Sequence, residues 1–214
     1  FQADAWARVA KSLEDRDDTE QKPGEFFAVI TDPGKSLAAI PHHDELREQF
    51  LNPPDIGGRY SALTYVGLVA ASLIGIDLDA LLSAGTAMLA LCREPNPRSN
   101  PGVHLGAAIG ALAHTGRDKL TLLTDPAIAA FGAWAEQLIA ESTGKHGVGI
   151  VPVDLEPARE PGAYADDRVF AVLTLAGVDA GPIGKLADGL ENAGQPVIRI
   201  ELDDPIDLAG EAVR

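Results

Sequence analysis

Leu120-Thr-Leu-Leu-Thr124, then Asp-Pro-Ala-Ile-Ala-Ala-Phe-Gly-Ala-Trp-Ala-Glu-Gln-Leu-Ile-Ala-Glu141, then Ser-Thr-Gly-Lys145 and Gly147-Val-Gly-Ile-Val-Pro-Val153 decide the fold. The first run is short, apolar and bounded by turn residues, which reads as a strand. Residues 126–141 carry apolar side chains at helical spacing with proline in the first turn, where its missing N–H costs nothing. Residues 147–153 read as a second strand with a glycine-rich entrance. A strand, a long helix and a strand in series form a parallel crossover unit.

The same alternation extends in both directions. Arg168–Leu175 and 197–201 read as strands, with a helix over 184–192 closed by Ala-Gly between them. The tail from 205 begins another helix. Upstream, helices are expected over 61–75, 77–92 and 102–115. The 61–75 segment is apolar all round and is therefore expected to be central. Phe26-Phe-Ala-Val-Ile-Thr31 is a continuous apolar run ending in Asp-Pro-Gly, which reads as a strand buried on both faces. A short helix over 42–50 leads into a brief strand near Phe50 to Asn52. Residues 1–15 have a helical pattern and 14–24 form a loop. The expected architecture is a three-layer, doubly wound α/β fold on a parallel sheet. Residues 1–25 are read as an N-terminal helix and linker, and 26–214 as one domain whose only plausible internal seam is the loop at 155–167.

Composition narrows the function. The chain has 214 residues, 46% of them hydrophobic and 23% charged, enough to bury a core. Its net charge of −15 repels phosphate backbones and anionic lipid, so neither nucleic acid nor membrane is an expected partner. No apolar run is long enough to span a bilayer; Tyr65 to Ile76 comes nearest. The single cysteine, Cys92, lies in the apolar run 87–92 and reads as a small buried hydrophobe. The opening Phe-Gln-Ala-Asp has no basic start and no initiator methionine, so the chain is expected to be cytoplasmic and a piece of a longer polypeptide. His42, His43, His104, His114 and His146 show no metal-ligand spacing with Cys, Asp or Glu, and no G-x-G-x-x-G follows a strand. No metal and no cofactor are expected.

Two segments carry chemistry. Leu51-Asn-Pro-Pro-Asp-Ile-Gly-Gly-Arg-Tyr-Ser61 places Gly57, Gly58 and Arg59 after a strand and at the mouth of an apolar helix. Glycines adopt backbone shapes that other residues resist and allow close approach to a ligand, and open α/β sheets bind ligands at their carboxyl edge. Two readings are open: an anion site, or a tight turn whose arginine pairs with a surface carboxylate. Glu141 ends the apolar turn Leu138-Ile-Ala and runs into Ser-Thr-Gly-Lys. A carboxylate at a helix C-terminus meets the negative end of the dipole, and an apolar pocket there holds it protonated to higher pH. Such a group suits proton transfer near neutrality; the alternative is a salt bridge to Lys145. Ser-Thr-Gly-Lys lacks the upstream glycine of a phosphate loop.

Thr31-Asp-Pro-Gly-Lys-Ser-Leu37, Leu51 through Thr64, Gly116-Arg-Asp-Lys-Leu-Thr121, and Phe131 through Lys145 with Gly149-Ile-Val-Pro-Val153 together resemble the phosphoglucose isomerase family, most of all the isomerase half of bifunctional transaldolase/phosphoglucose isomerases. The resemblance runs from about 26 to 210. It implies a sugar-isomerase (SIS), flavodoxin-like fold. It also implies metal-free and cofactor-free interconversion of glucose 6-phosphate and fructose 6-phosphate, in glycolysis and gluconeogenesis. Arg59 matches the arginine that stabilises the enediolate, with Gly57 and Gly58 beside the substrate, and Glu141 matches the base that moves a proton between C1 and C2. The family's phosphate-gripping Ser/Thr cluster, its ring-opening histidine and its late lysine helix have no counterpart here: residues 160–169 read Glu-Pro-Gly-Ala-Tyr-Ala-Asp-Asp-Arg-Val. The resemblance therefore implies the second SIS domain of a larger enzyme, working as a homodimer or with a first SIS domain and inactive alone. A phosphosugar-binding SIS module without catalysis is the alternative reading.

Overall fold

The computed structural model describes residues 2–16, 20–177 and 181–214. These fall into two compact units, divided between Ile76 and Asp77.

In the first unit, α1 (Gln2–Asp15) buries Leu13 and sets Trp6 against Phe27 and His42. β1 (Ala28–Thr31) leads through the short α2 (Lys35–Ala38) to β2 (Glu48–Leu51), and the two strands pair in parallel from Ala28↔Glu48 to Thr31↔Leu51. β1 is not buried on both faces as its apolar run predicts: in this two-stranded sheet Ala28 and Ile30 are exposed. The helix expected over 42–50 is a single 3-10 turn, His43–Glu45. Pro41 and the left-handed backbone of His42 (φ 56°) interrupt it, and the Arg47 amide donates to the carbonyls of Gly24 and Phe27 instead. α3 (Tyr65–Leu73) starts late because Thr64 caps it, accepting from the Val66 amide at 3.3 Å. Tyr65 packs on Phe50. The expected central burial of this helix is not found: Leu73 is 83% exposed and Ile74 beyond it 78%, so its all-round apolar surface exceeds what the unit covers.

The second unit opens with α4 (Leu78–Cys92), capped by Asp77, and α5 (Pro101–His114), capped by Asn100. The buried Asn100 accepts from the Val103 amide and donates to the carbonyls of Cys92 and Glu94, so one side chain ties two helix ends. Cys92 is half-buried rather than a core residue. Then come β3 (Lys119–Thr124), α6 (Ala130–Thr143), β4 (Val151–Val153), β5 (Arg168–Leu175), α7 (Gly181–Asn192), β6 (Val197–Leu202) and α8 (Leu208–Glu211). The strands form one parallel sheet in the order β4-β3-β5-β6. The loop at 155–167 lies inside this unit, crossing between two strands of the same sheet.

Side chains alternate across the sheet with period two. Leu120, Leu122, Val169, Ala171, Leu173, Ile200 and Leu202 meet Ile128 and Ala135, with Phe131, Trp134, Ile109 and Leu208 against them. Leu123, Phe170 and Val172 point the other way, toward Tyr164, Ala187 and Leu190. Helices thus cover both faces, which gives the three layers of a parallel α/β fold. A partly buried polar network lies at the amino end: Arg168 pairs with Glu156 and donates to Thr121 Oγ1 at 2.8 Å, while Arg117 donates to the Arg168 carbonyl and to Gln195, both at 3.0 Å. Its donors and acceptors satisfy each other, which marks it as structural.

Candidate functional site

Arg59 lies in the first unit and Glu141 in the second, and each has its own local construction. The Gly57-Gly58-Arg59 segment follows β2, at the carboxyl end of the parallel pair, as its position in the sequence predicts. It forms a 3-10 turn, Gly58–Tyr60, in which the Tyr60 amide donates to Gly57 O at 2.9 Å and Ser61 Oγ donates to Gly58 O at 2.7 Å. The turn does not use left-handed backbone: Gly57 has φ −67°, and Gly58 is not among the positive-φ glycines. A Cβ at Gly58 would meet nothing within 4 Å and one at Gly57 would only brush Tyr60. Among the described residues of this unit, neither torsion nor packing asks for glycine at these positions. Arg59 is half-buried, its guanidinium carbon 5.7 Å from the centre of the exposed Tyr60 ring.

Glu141 stands in the last turn of α6 and is exposed. Because Glu141 is exposed, the apolar pocket expected around its carboxylate is not formed within this unit. Gln137, one turn back, donates from Nε2 to Glu141 Oε1 at 3.2 Å. Sequence reasoning does not single out this residue, although its i, i+4 spacing from Glu141 is a visible signal. The end of the helix is fixed by three devices. Thr143 Oγ1 donates to Ile139 O at 2.8 Å and accepts from the Ile150 amide at 3.0 Å, joining α6 to the approach of β4. Lys145 Nζ donates to the carbonyls of Ser142 at 2.9 Å and Glu141 at 3.4 Å, two of the acceptors a helix C-terminus leaves unbonded. Lys145 to Val148 then close a tight turn with reciprocal backbone bonds of 2.9 and 3.1 Å, and its central residues His146 and Gly147 have φ of 55° and 77°.

Beside this helix end lies an open hollow of about 880 Å³ lined by His114, Asp118, Glu136, Thr143, Gly144 and neighbours. Asp118 is already engaged by Lys119 at 3.0 Å, and Lys119 also meets Asp167 at 2.9 Å; these two bonds, the second foremost, hold the Lys119 proton more tightly than usual. At the carboxyl end of β4, Asp154 presses its carboxylate against Gly132 in the first turn of α6, where a helix N-terminus favours negative charge. Among the described residues no group of three or more His, Cys, Asp or Glu is arranged to hold a metal ion, and no helix is long and apolar enough to cross a membrane.

No family model matches the chain. Curated relatives do. Glucose-6-phosphate isomerase of Symbiobacterium thermophilum is 43% identical over 105 residues, 49% of this chain and 23% of that protein. The chain is a homologue of glucose-6-phosphate isomerases. The Listeria monocytogenes protein of that name is 32% identical over 68% of this chain and 32% of its own length, and the Acetivibrio thermocellus one 30% identical over 81% and 35%. The chain thus spans about a quarter to a third of these isomerases. Its fold is shared with a hypothetical protein of Thermus thermophilus, with a TM-score of 0.77 at 19% identity, covering 97% of this chain and 59% of that one. At that identity the likeness is one of fold alone.

Proposed function

We propose that this chain supplies the proton-transfer part of an enzyme that interconverts glucose 6-phosphate and fructose 6-phosphate through a cis-enediolate. The carrying observation is the homology to glucose-6-phosphate isomerases over up to 81% of the chain, which takes in Arg59 and Glu141 on ordered local frames. In this reading Glu141 removes the proton from C2 of the open-chain aldose and returns it to C1. The base must be reachable by substrate, and an exposed carboxylate on a clamped helix end meets that need. Arg59 supplies fixed positive charge to the oxygen on which the enediolate's negative charge develops. Gly57 and Gly58, which no close packing among the described residues of their unit explains, leave their backbone open to close approach by a ligand. The phosphate grip and the ring-opening group come from outside these residues, from a first SIS domain or a second subunit of a cytoplasmic enzyme, with a transaldolase portion in the same polypeptide.

The test uses the full-length polypeptide carrying this chain, in a coupled assay from fructose 6-phosphate. Glu141→Gln is expected to lower kcat by about 10²–10⁴-fold, and Arg59→Ala by about 10²–10³-fold. Turnover untouched by both substitutions would remove the assignment. The isolated 214-residue chain is expected to turn over at background rate. The exposure of Glu141 keeps a second reading in view, a phosphosugar-binding module. Calorimetric binding by the full-length protein with no turnover would favour it.

A further inference from the structure

We propose that Ser61 is a positioning residue that fixes the backbone beneath Arg59. The proposal rests on the reading of Arg59 as the cation that meets the enediolate, and adds a residue to it. Arg59 follows two glycines, and a Cβ at either would meet no atom of the unit closer than 3.9 Å. Glycine has more backbone freedom than any other residue and costs the most to hold still. Upstream, the Ile56 amide reaches Pro53 O at 3.4 Å, longer than an ordinary hydrogen bond. A guanidinium must nevertheless be held in place, because small displacements of a charged group weaken what it gives to a transition state.

Downstream, one device occurs twice in succession. Ser61 Oγ donates to Gly58 O at 2.7 Å, and the Ser61 amide donates to the same carbonyl at 3.2 Å. Three residues on, Thr64 Oγ1 donates to Ser61 O at 2.8 Å, and the Thr64 amide donates there at 3.0 Å. Gly58 O belongs to the peptide that joins Gly58 to Arg59, so the first clamp acts on the backbone under the guanidinium. Of the two bonds it receives, the hydroxyl's is the shorter. The second clamp passes the constraint to α3, since Thr64 Oγ1 also accepts from the Val66 amide at 3.3 Å. α3 is itself held. Tyr65 packs on Phe50 of β2 with ring centres 5.6 Å apart. A Cβ at Gly67 would fall 1.9 Å from Ala62 O, so the first turn of the helix lies directly against the turn at 61–64. The two hydroxyls thus connect the Arg59 peptide to a helix anchored on the strand that precedes it. The clamp acts on the peptide, whatever the guanidinium itself meets; the Tyr60 ring, 5.7 Å away, is one such neighbour. Alanine at position 61 would lack the donor, whereas threonine would keep it, as Thr64 does in the same arrangement.

Two measurements test the clamp. In the 214-residue chain, hydrogen-exchange protection of the amide at position 61, relative to its intrinsic rate, should fall by about 2–10-fold in Ser61→Ala and return to the parent value in Ser61→Thr. In the full-length polypeptide carrying this chain, Ser61→Ala should lower kcat by about 3–10-fold with KM within about twofold, and Ser61→Thr should recover it. Because Ser61 acts through Arg59, adding Ser61→Ala to Arg59→Ala should lower turnover by less than about twofold more. A merely structural role would multiply the two losses instead. Protection unmoved in Ser61→Ala, or lost as far in Ser61→Thr, overturns the proposal, as do losses that multiply in the double variant. An impaired Arg59→Ala enzyme beside a fully active Ser61→Ala enzyme removes the proposal and leaves the reading of Arg59 standing. A fully active Arg59→Ala enzyme removes that reading and the proposal with it.

Discussion

β1 and β5 are both short, apolar, parallel strands, yet their surroundings differ completely. β5 is buried along its length, with Val169 and Phe170 at 0% exposure, two neighbouring strands and helices over both faces. β1 alternates exposed and half-buried residues and has one neighbour. The same contrast holds for helices. α6 sends Phe131, Trp134, Ala135 and Ile139 into the sheet, whereas α3, of higher apolar content, leaves Val66 and Leu73 in the open. Apolar sequence declares that a segment wants cover, and topology decides whether it gets it. In the second unit the sheet around β5 finds its cover within the chain; in the first, the apolar surface outruns the layers available.

The contrast can be broken from either side. Phe170→Ala opens a cavity in the core of the second unit and should cost about 3–5 kcal/mol, read as a lowered denaturation midpoint. The equivalent truncation in the first unit, Ile30→Ala, should cost less than about 1 kcal/mol, since the side chain is 36% exposed. Comparable losses at the two sites would refute the asymmetry. Gly132→Ala drives a methyl into the Asp154 carboxylate and should cost about 1–3 kcal/mol; Gly58→Ala, with open space around it, should leave stability within about 0.5 kcal/mol. Asn100→Ala removes a cap and two bridging bonds and should cost about 1–2 kcal/mol in the second unit.

The smallest effect is electrostatic. Burial holds the Glu211 carboxyl above the usual carboxylate range, despite Arg214 at 3.0 Å pulling the other way and with Asp207 adding to the rise. A group whose folded value is raised contributes stability below its unfolded value and loses it as pH climbs through the folded one. Glu211→Gln should therefore raise Tm slightly at pH 7, and the gain should vanish as pH falls through the ordinary glutamate range. A gain that persists at low pH would mean that ionisation is not its source.

Much of this fold is legible in sequence because its signals are local. Arg168–Leu175 reads to the residue as a strand, since its apolar run, Asp-Asp before it and Ala-Gly after it leave no alternative. The helix carrying Glu141 ends within two residues of the end its periodicity predicts. Burial is less legible. Nothing in Phe26–Thr31 tells whether a second layer will face it, and nothing in 61–75 tells which partner meets an all-round apolar helix. The candidate site divides the same way. Arg59 and Glu141 stand out by residue type and setting, whereas Gln137 and Lys145 matter through hydrogen bonds that only the folded helix end displays. The glycine pair departs from its reading in detail: a 3-10 turn supplies the bend that unusual backbone was expected to supply, and the room beside Gly58 is visible only in space.

The strand order of the second unit also dictates a timetable. In β4-β3-β5-β6, the first strand made has its partners far downstream: Lys119 pairs with Val151 and again with Arg168. On a ribosome, β3 and β4 can meet early, but the sheet's interior waits for β5 and its outer strand for Val197 onward. Until then Leu120, Leu122 and Leu123 stand without their facing residues, in the window when nascent chains aggregate. The first unit, whose pairing joins Ala28 to Glu48, closes sooner. The unit with the weaker core is thus the one that can form first, and the unit with the stronger core is the one that must be shielded while it is made.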